Sequence, residues 1–149
     1  MNSEFSRTIQ LLGEETFQIL RRSSVMVLGV GGVGSHCIEA LARSGVGKLT
    51  LVDGDQVALS NINRQSIAFH STVGRDKTEV MKEKIQDISP QIQVDCRKIF
   101  VLPENVEALF DQRPDYIVDA IDTVSAKIAV AEKAAAEGIP IISSMGTGN

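Results

Sequence analysis

The 149-residue sequence predicts an α/β fold of the doubly wound type, a mainly parallel sheet with helices on both faces. Three observations carry this prediction. Short β-branched runs alternate with helix-periodic segments along the chain, a glycine-rich turn joins the first such run to a helix, and an aspartate closes the next run. Alternation implies parallel strands, because right-handed crossovers bring each new strand back in the direction of the last.

Taken in order, Ile9 to Leu20 has helix-like apolar spacing, and Ser24 to Leu28 (SVMVL) is a short buried strand ending at Gly29. Helical spacing returns from Gly32 to Ser44, with Ile38, Leu41 and Ala42 facing inward and Gly45 as the stop. Lys48 to Val52 (KLTLV) is a second strand ending at Asp53. A helix follows with Thr78, Met81, Ile85 and Ile88 on one face and Pro90 as its end. Ile92, Val94 and Cys96 alternate as a third strand. Pro103 to Phe110 reads as a short helix, Tyr116 to Val118 as the fourth strand, Val124 to Glu137 as a helix closed by Gly138, and Ile139 to Ser143 as the fifth strand. One domain over residues 1–149 is expected, with no linker and no internal repeat. The last residues, Gly146 to Asn149, follow directly on a strand end, where an open α/β sheet places its binding loops, so the chain reads as an N-terminal fragment of a longer protein.

Composition narrows the class. With 43% hydrophobic and 23% charged residues the chain has an ordinary globular balance, and it holds no apolar run long enough for a membrane span. Met1 to Gln10 lacks a signal-peptide pattern, so a cytoplasmic location is expected. Cys37 and Cys96 have neither CxxC spacing nor a framework, and are expected as reduced core residues. A net charge of -4 argues against a dedicated nucleic-acid binder and leaves room only for a local basic patch.

Gly29, Gly31 and Gly34, with Gly32 between them, stand between a strand and a helix, and Asp53 follows 19 residues after Gly34. This is a Rossmann-type fingerprint in its proper context: glycines let the backbone approach a phosphate, the helix start offers free N–H groups, and the acid accepts ribose hydroxyls. It admits NAD and ATP alike. The 21 residues from Gly54 to Gly74 are long for a connection and suggest a binding loop. That loop and the helix after it carry Asn61, Asn63, Arg64, Gln65, Arg75 and Lys77, so cations gather where a triphosphate would lie. Arg75 and Lys77 at a helix start oppose its dipole unless an anion or an acid such as Asp76 answers them. Asp119 and Asp122 end the fourth strand, and Asp122 is the candidate Mg2+ ligand, with an N-cap role as the alternative. His36 and His70 are isolated and are read as structural. No nucleophile with an adjacent base is evident, which suits a reaction whose nucleophile is a carboxylate already ionised at neutral pH.

These residues resemble the ThiF/MoeB/HesA superfamily related to ubiquitin-activating enzymes. The resemblance rests on GVGGVGS (Gly29 to Ser35), LVDGD (Leu51 to Asp55), SNINRQ (Ser60 to Gln65), VGRDK (Val73 to Lys77) and DAID (Asp119 to Asp122). It implies ATP with Asp53 on the ribose, Asp55 close by in the same motif, Ser60, Asn61 and Arg64 around the phosphates, Lys77 on the phosphates, and Asp122 near magnesium. It also implies a homodimer in which Arg7 reaches the partner's nucleotide. SRTIQLLGEE (Ser6 to Glu15), the run from Glu39 to Asp53, KTEVM (Lys77 to Met81) and DAID look most like the tRNA threonylcarbamoyladenosine dehydratases, which adenylate a carboxylate on a tRNA adenosine and release AMP on ring closure.

Three other functions compete. An adenylyltransferase would pass AMP to the C-terminal Gly-Gly of a small sulfur-carrier protein and would bring a sulfur-transfer partner. An NAD-dependent oxidoreductase is permitted by the first half of the sequence, and a non-catalytic nucleotide-binding module would be expected to lose Arg64, Lys77 or Asp122, all of which are present.

Overall fold

The computed structural model describes residues 3–146; Thr147, Gly148 and Asn149 lie outside the described residues. Five strands form one sheet in the order β3-β2-β1-β4-β5, every pairing parallel. They are β1 (Ser24–Leu28), β2 (Lys48–Val52), β3 (Gln93–Arg97), β4 (Tyr116–Asp119) and β5 (Ile141–Ser143). The helices are α1 (Ser6–Leu12), α2 (Glu14–Arg22), α3 (Gly34–Ser44), α4 (Lys77–Ile88), α5 (Val106–Leu109) and α6 (Val124–Glu137). The chain builds outward from β1 through β2 to β3, then crosses back to β4 and β5 on the other side. The doubly wound fold expected from the alternation is therefore present, with its switch point between β1 and β4, where such sheets open a crevice for ligands.

The period of two along each strand divides the core. Val25 and Val27 of β1 join Leu49 and Leu51 of β2 beneath α3 and α4, packing on Ile38, Ala42, Met81 and Ile85. Met26 and Leu28, whose side chains point the opposite way, join Val52 and Ile117 beneath α5 and α6, packing on Leu109, Val130 and Ala134. Leu28, Leu49 and Leu51 are completely buried, each worth roughly 1.5–3 kcal/mol of apolar transfer. β1 thus contributes to both core layers at the centre of the sheet, and the glycine turn begins at its C-terminal end.

Several boundaries differ from the sequence reading for definite reasons. The helix expected over Ile9 to Leu20 is broken at Gly13, whose φ of 84° and ψ of 155° lie outside the helical region. The helix after the glycine turn starts at Gly34, two residues later than its first glycine suggested. The fifth strand begins only at Ile141, because Pro140 has no N–H to donate; its carbonyl accepts from Ile117 instead. Cys37 and Cys96 are half-buried and not in the core proper.

The long connection after β2 is an ordered loop closed at its base. Val57 N–H donates to the Arg75 carbonyl and Gly74 N–H to the Val57 carbonyl, both at 2.8 Å. Inside it, Thr72 Oγ1 donates to the Ile67 carbonyl at 2.7 Å, and Ile67 and Ala68 plunge into the α3/α4 layer. Among the described residues no helix is long and apolar enough to cross a membrane.

Candidate nucleotide site

A cavity of about 820 Å³ opens at the C-terminal edge of the sheet, over the ends of β1, β2 and β4. Its floor is the glycine turn. Gly29 has φ +95°, and a Cβ there would stand 2.6 Å from the Ala120 carbonyl oxygen; one on Gly34 would stand 1.7 Å from the Gly29 carbonyl oxygen. Both glycines are thus demanded by the protein's own packing. Gly31 and Gly32 are different: neither has a positive φ, and a Cβ on either would meet nothing nearer than the side chains of Gln65 at 3.7 Å and Arg64 at 3.6 Å. The protein leaves room above them, facing the cavity they line. The first turn of α3 follows at once, and its N-cap position, Val33, supplies no side-chain acceptor.

Asp53 stands at the end of β2 beside this turn. Its Oδ2 accepts the Val30 N–H and its Oδ1 the Asp55 N–H, each at 2.8 Å, so the carboxylate is held rigidly at the cavity edge. Ser35 Oγ donates to the Gly31 carbonyl and accepts the Ser66 N–H at 3.1 Å, stapling the glycine turn to the long loop. His36 Nε2 lies 2.9 Å from the Arg64 carbonyl, which requires the proton on that nitrogen and ties the loop to α3 a second time. His70 is exposed.

The cations expected near a triphosphate do converge. Arg64, Gln65 and Lys77 line the cavity together with Asp53, Asp55 and Asp122. Lys77 is the first residue of α4, its side chain is 8% exposed, and among the described residues its Nζ has a single loose ion pair, to Asp55 Oδ2 at 3.9 Å. Gln65 is buried with its Oε1 unpartnered. Arg64 Nη1 is steered by the Ser60 carbonyl at 3.0 Å and Asn63 Oδ1 at 2.8 Å. Asn61 is buried and its Oδ1 accepts the Ala58 N–H at 2.8 Å, shaping the turn before Arg64. Ser60, Asn61 and Asn63 do not themselves line the cavity, nor does Gly34 beneath it, nor Arg7, which is exposed on α1.

Arg75 is not part of this constellation. It precedes α4 and pairs with Glu83 one face away, whereas Asp76, the acid expected to answer it, is 2.7 Å from Lys98 Nζ. Asp122 is not the N-cap of α6; Thr123 takes that position without a side-chain cap bond, which leaves the Asp122 carboxylate exposed at the cavity.

Two components of the site escaped the sequence reading. Ile99, Phe100, Val101 and Leu102 form an apolar wall opposite the polar one. Their signal in the sequence is an apolar run directly after a strand, KIFVL, which has no periodicity to mark it. The other lies behind the site and does not line it: Lys127, buried on α6, is bonded to Asp119 Oδ2 at 3.1 Å and to the carbonyl of Ser144, which does line the cavity. A single lysine on a predicted helix gave no hint of burial.

Comparison with known proteins places the chain among relatives of one family. The ThiF family model matches residues 5–149. The tRNA threonylcarbamoyladenosine dehydratase of Bacillus subtilis (strain 168) is 48% identical over 149 residues, 100% of this chain and 59% of that protein. The enzyme of the same name from Escherichia coli (strain K12) is 40% identical over 144 residues, 97% of this chain and 54% of that protein. The crystal structure of E. coli tRNA N6-threonylcarbamoyladenosine dehydratase, TcdA, in complex with ATP superposes with a TM-score of 0.95 at 40% identity, covering 97% of this chain and 60% of that one. The chain thus spans under two thirds of the length of these relatives. With its glycine turn, Asp53, Arg64 and Lys77 gathered at one sheet edge, the chain belongs to the ThiF family.

Proposed function

We propose that this chain is the nucleotide-holding part of a cytoplasmic enzyme that uses ATP to adenylate a carboxylate, the threonylcarbamoyl carboxylate of a tRNA adenosine. The observation that carries the reading is Lys77, whose side chain is largely covered by protein and whose ammonium opens onto the cavity with, among the described residues, a distant, exposed carboxylate as its ion-pair partner. A buried cation so poorly compensated is costly on its own and suits a site completed by an anionic ligand.

The cavity sorts the parts of ATP by chemistry. The apolar wall of Ile99 to Leu102 suits the adenine, Asp53 the ribose hydroxyls, and the open backbone of Gly31 and Gly32 the phosphates, with Lys77 and Arg64 answering their charge. Gln65 and Asp55 complete the polar wall, while Ser60, Asn61 and Asn63 act through the shape of the loop and the aim of Arg64. Asp122 fits Mg2+: an exposed carboxylate at the phosphate side is the hard oxygen donor that this ion shares with phosphates and water. Magnesium bound there would neutralise phosphate charge.

A carboxylate oxygen of the acceptor attacks the α-phosphorus, the bond to the bridging oxygen breaks, and pyrophosphate leaves with the electron pair. Lys77 and Arg64 stabilise charge on the phosphates through this step, and no general base is required. An internal nucleophile of the threonylcarbamoyl group then attacks the activated carbonyl and expels AMP, closing a ring with net loss of water. A homodimer in which Arg7 extends to the partner's cavity belongs to the same reading.

The test is the thermal midpoint with ATP and magnesium, with ATP and EDTA, and with NAD, followed by ATP-pyrophosphate exchange dependent on threonylcarbamoylated tRNA. The expected result is a rise with ATP larger than with NAD, a further rise with magnesium that Asp122→Asn abolishes, and exchange that requires the modified tRNA. A rise with NAD alone would replace the reading by an oxidoreductase; exchange driven instead by a small protein ending in Gly-Gly would replace the acceptor.

A further inference from the structure

Lys127 projects from α6 with its side chain 9% exposed, and Asp119 at the end of β4 is completely buried. The Lys127 ammonium donates to Asp119 Oδ2 at 3.1 Å and to the Ser144 carbonyl at 2.7 Å. Asp119 Oδ1 accepts the Ile121 N–H at 3.1 Å, and the Asp119 carbonyl accepts the Ser144 N–H at 2.8 Å. Ser144 is therefore gripped at both backbone polar groups, one by Asp119 and one by Lys127. Ile121 and Ser144, the two segments tied together here, both line the nucleotide cavity.

Packing does not account for this arrangement. Taking an ion pair out of water is expensive, and apolar side chains of similar volume would hold α6 to the sheet as well or better. An ammonium supplies what they cannot, several donors at one point, able to bond a carboxylate on β4 and a carbonyl beyond β5 together. We propose that Lys127 is a positioning residue: it fixes the chain leaving β5 against the chain leaving β4, and so sets the cavity wall formed by Ser144 and Met145 relative to Asp122. The proposal rests on reading the cavity as an ATP site.

Two variants of the full-length protein break the same ion pair with different consequences. Lys127→Met removes the donor to Ser144, whereas Asp119→Asn neutralises the pair: its amide oxygen still serves the Ile121 N–H, its amide nitrogen faces Lys127 where an acceptor stood, and Lys127 keeps the Ser144 carbonyl. Amide hydrogen exchange at Ser144 without nucleotide, and ATP affinity by calorimetry, separate them. Lys127→Met is expected to speed Ser144 exchange and to weaken ATP, each about tenfold, the scale of one lost charged hydrogen bond. Asp119→Asn is expected to lower the thermal midpoint yet leave both readouts near the parent values. In the unaltered protein, ATP is expected to slow Ser144 exchange, a measurement that needs no variant to fold. Unchanged Ser144 exchange in Lys127→Met, or equal ATP loss in both variants, would overturn the proposal. If the unaltered protein fails to bind ATP, the nucleotide reading falls, and Ser144 exchange in the variants still decides whether Lys127 sets that wall.

Discussion

Lys77 Nζ lies 3.9 Å from Asp55 Oδ2, and among the described residues that loose pair is all that balances an ammonium whose side chain is only 8% exposed, while Asp55 is 62% exposed. A distant partner in water neutralises little, so the charge of Lys77 is poorly compensated until an anion arrives. Lys77→Met is therefore expected to leave the unliganded thermal midpoint unchanged or raised, and to weaken ATP at least about tenfold. Melting curves with and without ATP check both halves; a variant that still binds ATP as tightly would remove Lys77 from the phosphate site.

The glycine turn separates into positions required for folding and positions required for ligand. Gly34→Ala places a methyl 1.7 Å from the Gly29 carbonyl oxygen and is expected to cost about 2–3 kcal/mol or more of stability. Gly31→Ala, with 3.7 Å to its nearest neighbour, is expected to keep the unfolding free energy within about 1 kcal/mol and to lose ATP. Denaturant unfolding alongside ATP titration distinguishes them. Equal destabilisation by both would mean that the turn is shaped for packing alone.

Asp53 gives one carboxylate oxygen to each of two backbone N–H groups, from Val30 and Asp55. Asn at this position offers a single acceptor, so Asp53→Asn turns one of those bonds into an N–H facing an N–H. The expected loss is about 1–3 kcal/mol of stability, with weaker binding of every ribonucleotide. A 2′-deoxy analogue of ATP should lose less affinity in the variant than ATP itself does, if the carboxylate serves the ribose.

Glu39 on α3 receives Lys84 Nζ at 2.7 Å and Arg43 Nε at 3.1 Å. The hydrogen bond from Lys84, with a smaller one from Arg43, holds the carboxyl below its usual 4.5 against an opposing contribution from burial. A carboxyl lowered in the folded state stabilises fully above its unfolded value and loses that contribution as pH falls through the folded one. Glu39→Gln is expected to lower stability by up to about 1 kcal/mol at pH 7, the gap closing as pH falls below 4.5. Unfolding curves of both proteins from pH 7 to 3 would show it; a gap that widens in acid would contradict the assignment.

Burial pushes the Cys96 thiol up to about 11, with Glu79 adding to the shift. At pH 8 the folded protein is expected to alkylate at Cys96 roughly a hundredfold more slowly than the unfolded chain, since only the thiolate reacts. Peptide mapping after timed iodoacetamide treatment measures the ratio, and similar rates in the two states would mean that the thiol is open to water.

Much of the architecture could be read from spacing, because the causes are local. A strand announces itself by β-branched side chains, a turn by glycines, and Asp53 by its distance from Gly34. The convergence of Arg64, Lys77 and Asp122 on the glycine turn follows once the elements alternate, since a parallel sheet carries the C-terminal end of each strand to one edge. At Gly13 the glycine's own backbone freedom splits a helix through which the apolar pattern runs unbroken.

Tertiary structure alone decided the partners. Arg75 meets Glu83 and Asp76 meets Lys98, pairings that depend on which faces the crossovers bring together. Lys127 reaches Asp119 and Ser144 only because β5 lies beside β4, and the apolar wall from Ile99 to Leu102 becomes a wall only because the chain leaving β3 folds back over the cavity. Propensity and period act within a few residues, whereas burial, ion pairing and the shape of a cavity depend on contacts between segments far apart in the chain, so the sequence by itself determined the elements and the chemistry at their ends, and packing decided which charges are buried and what they hold.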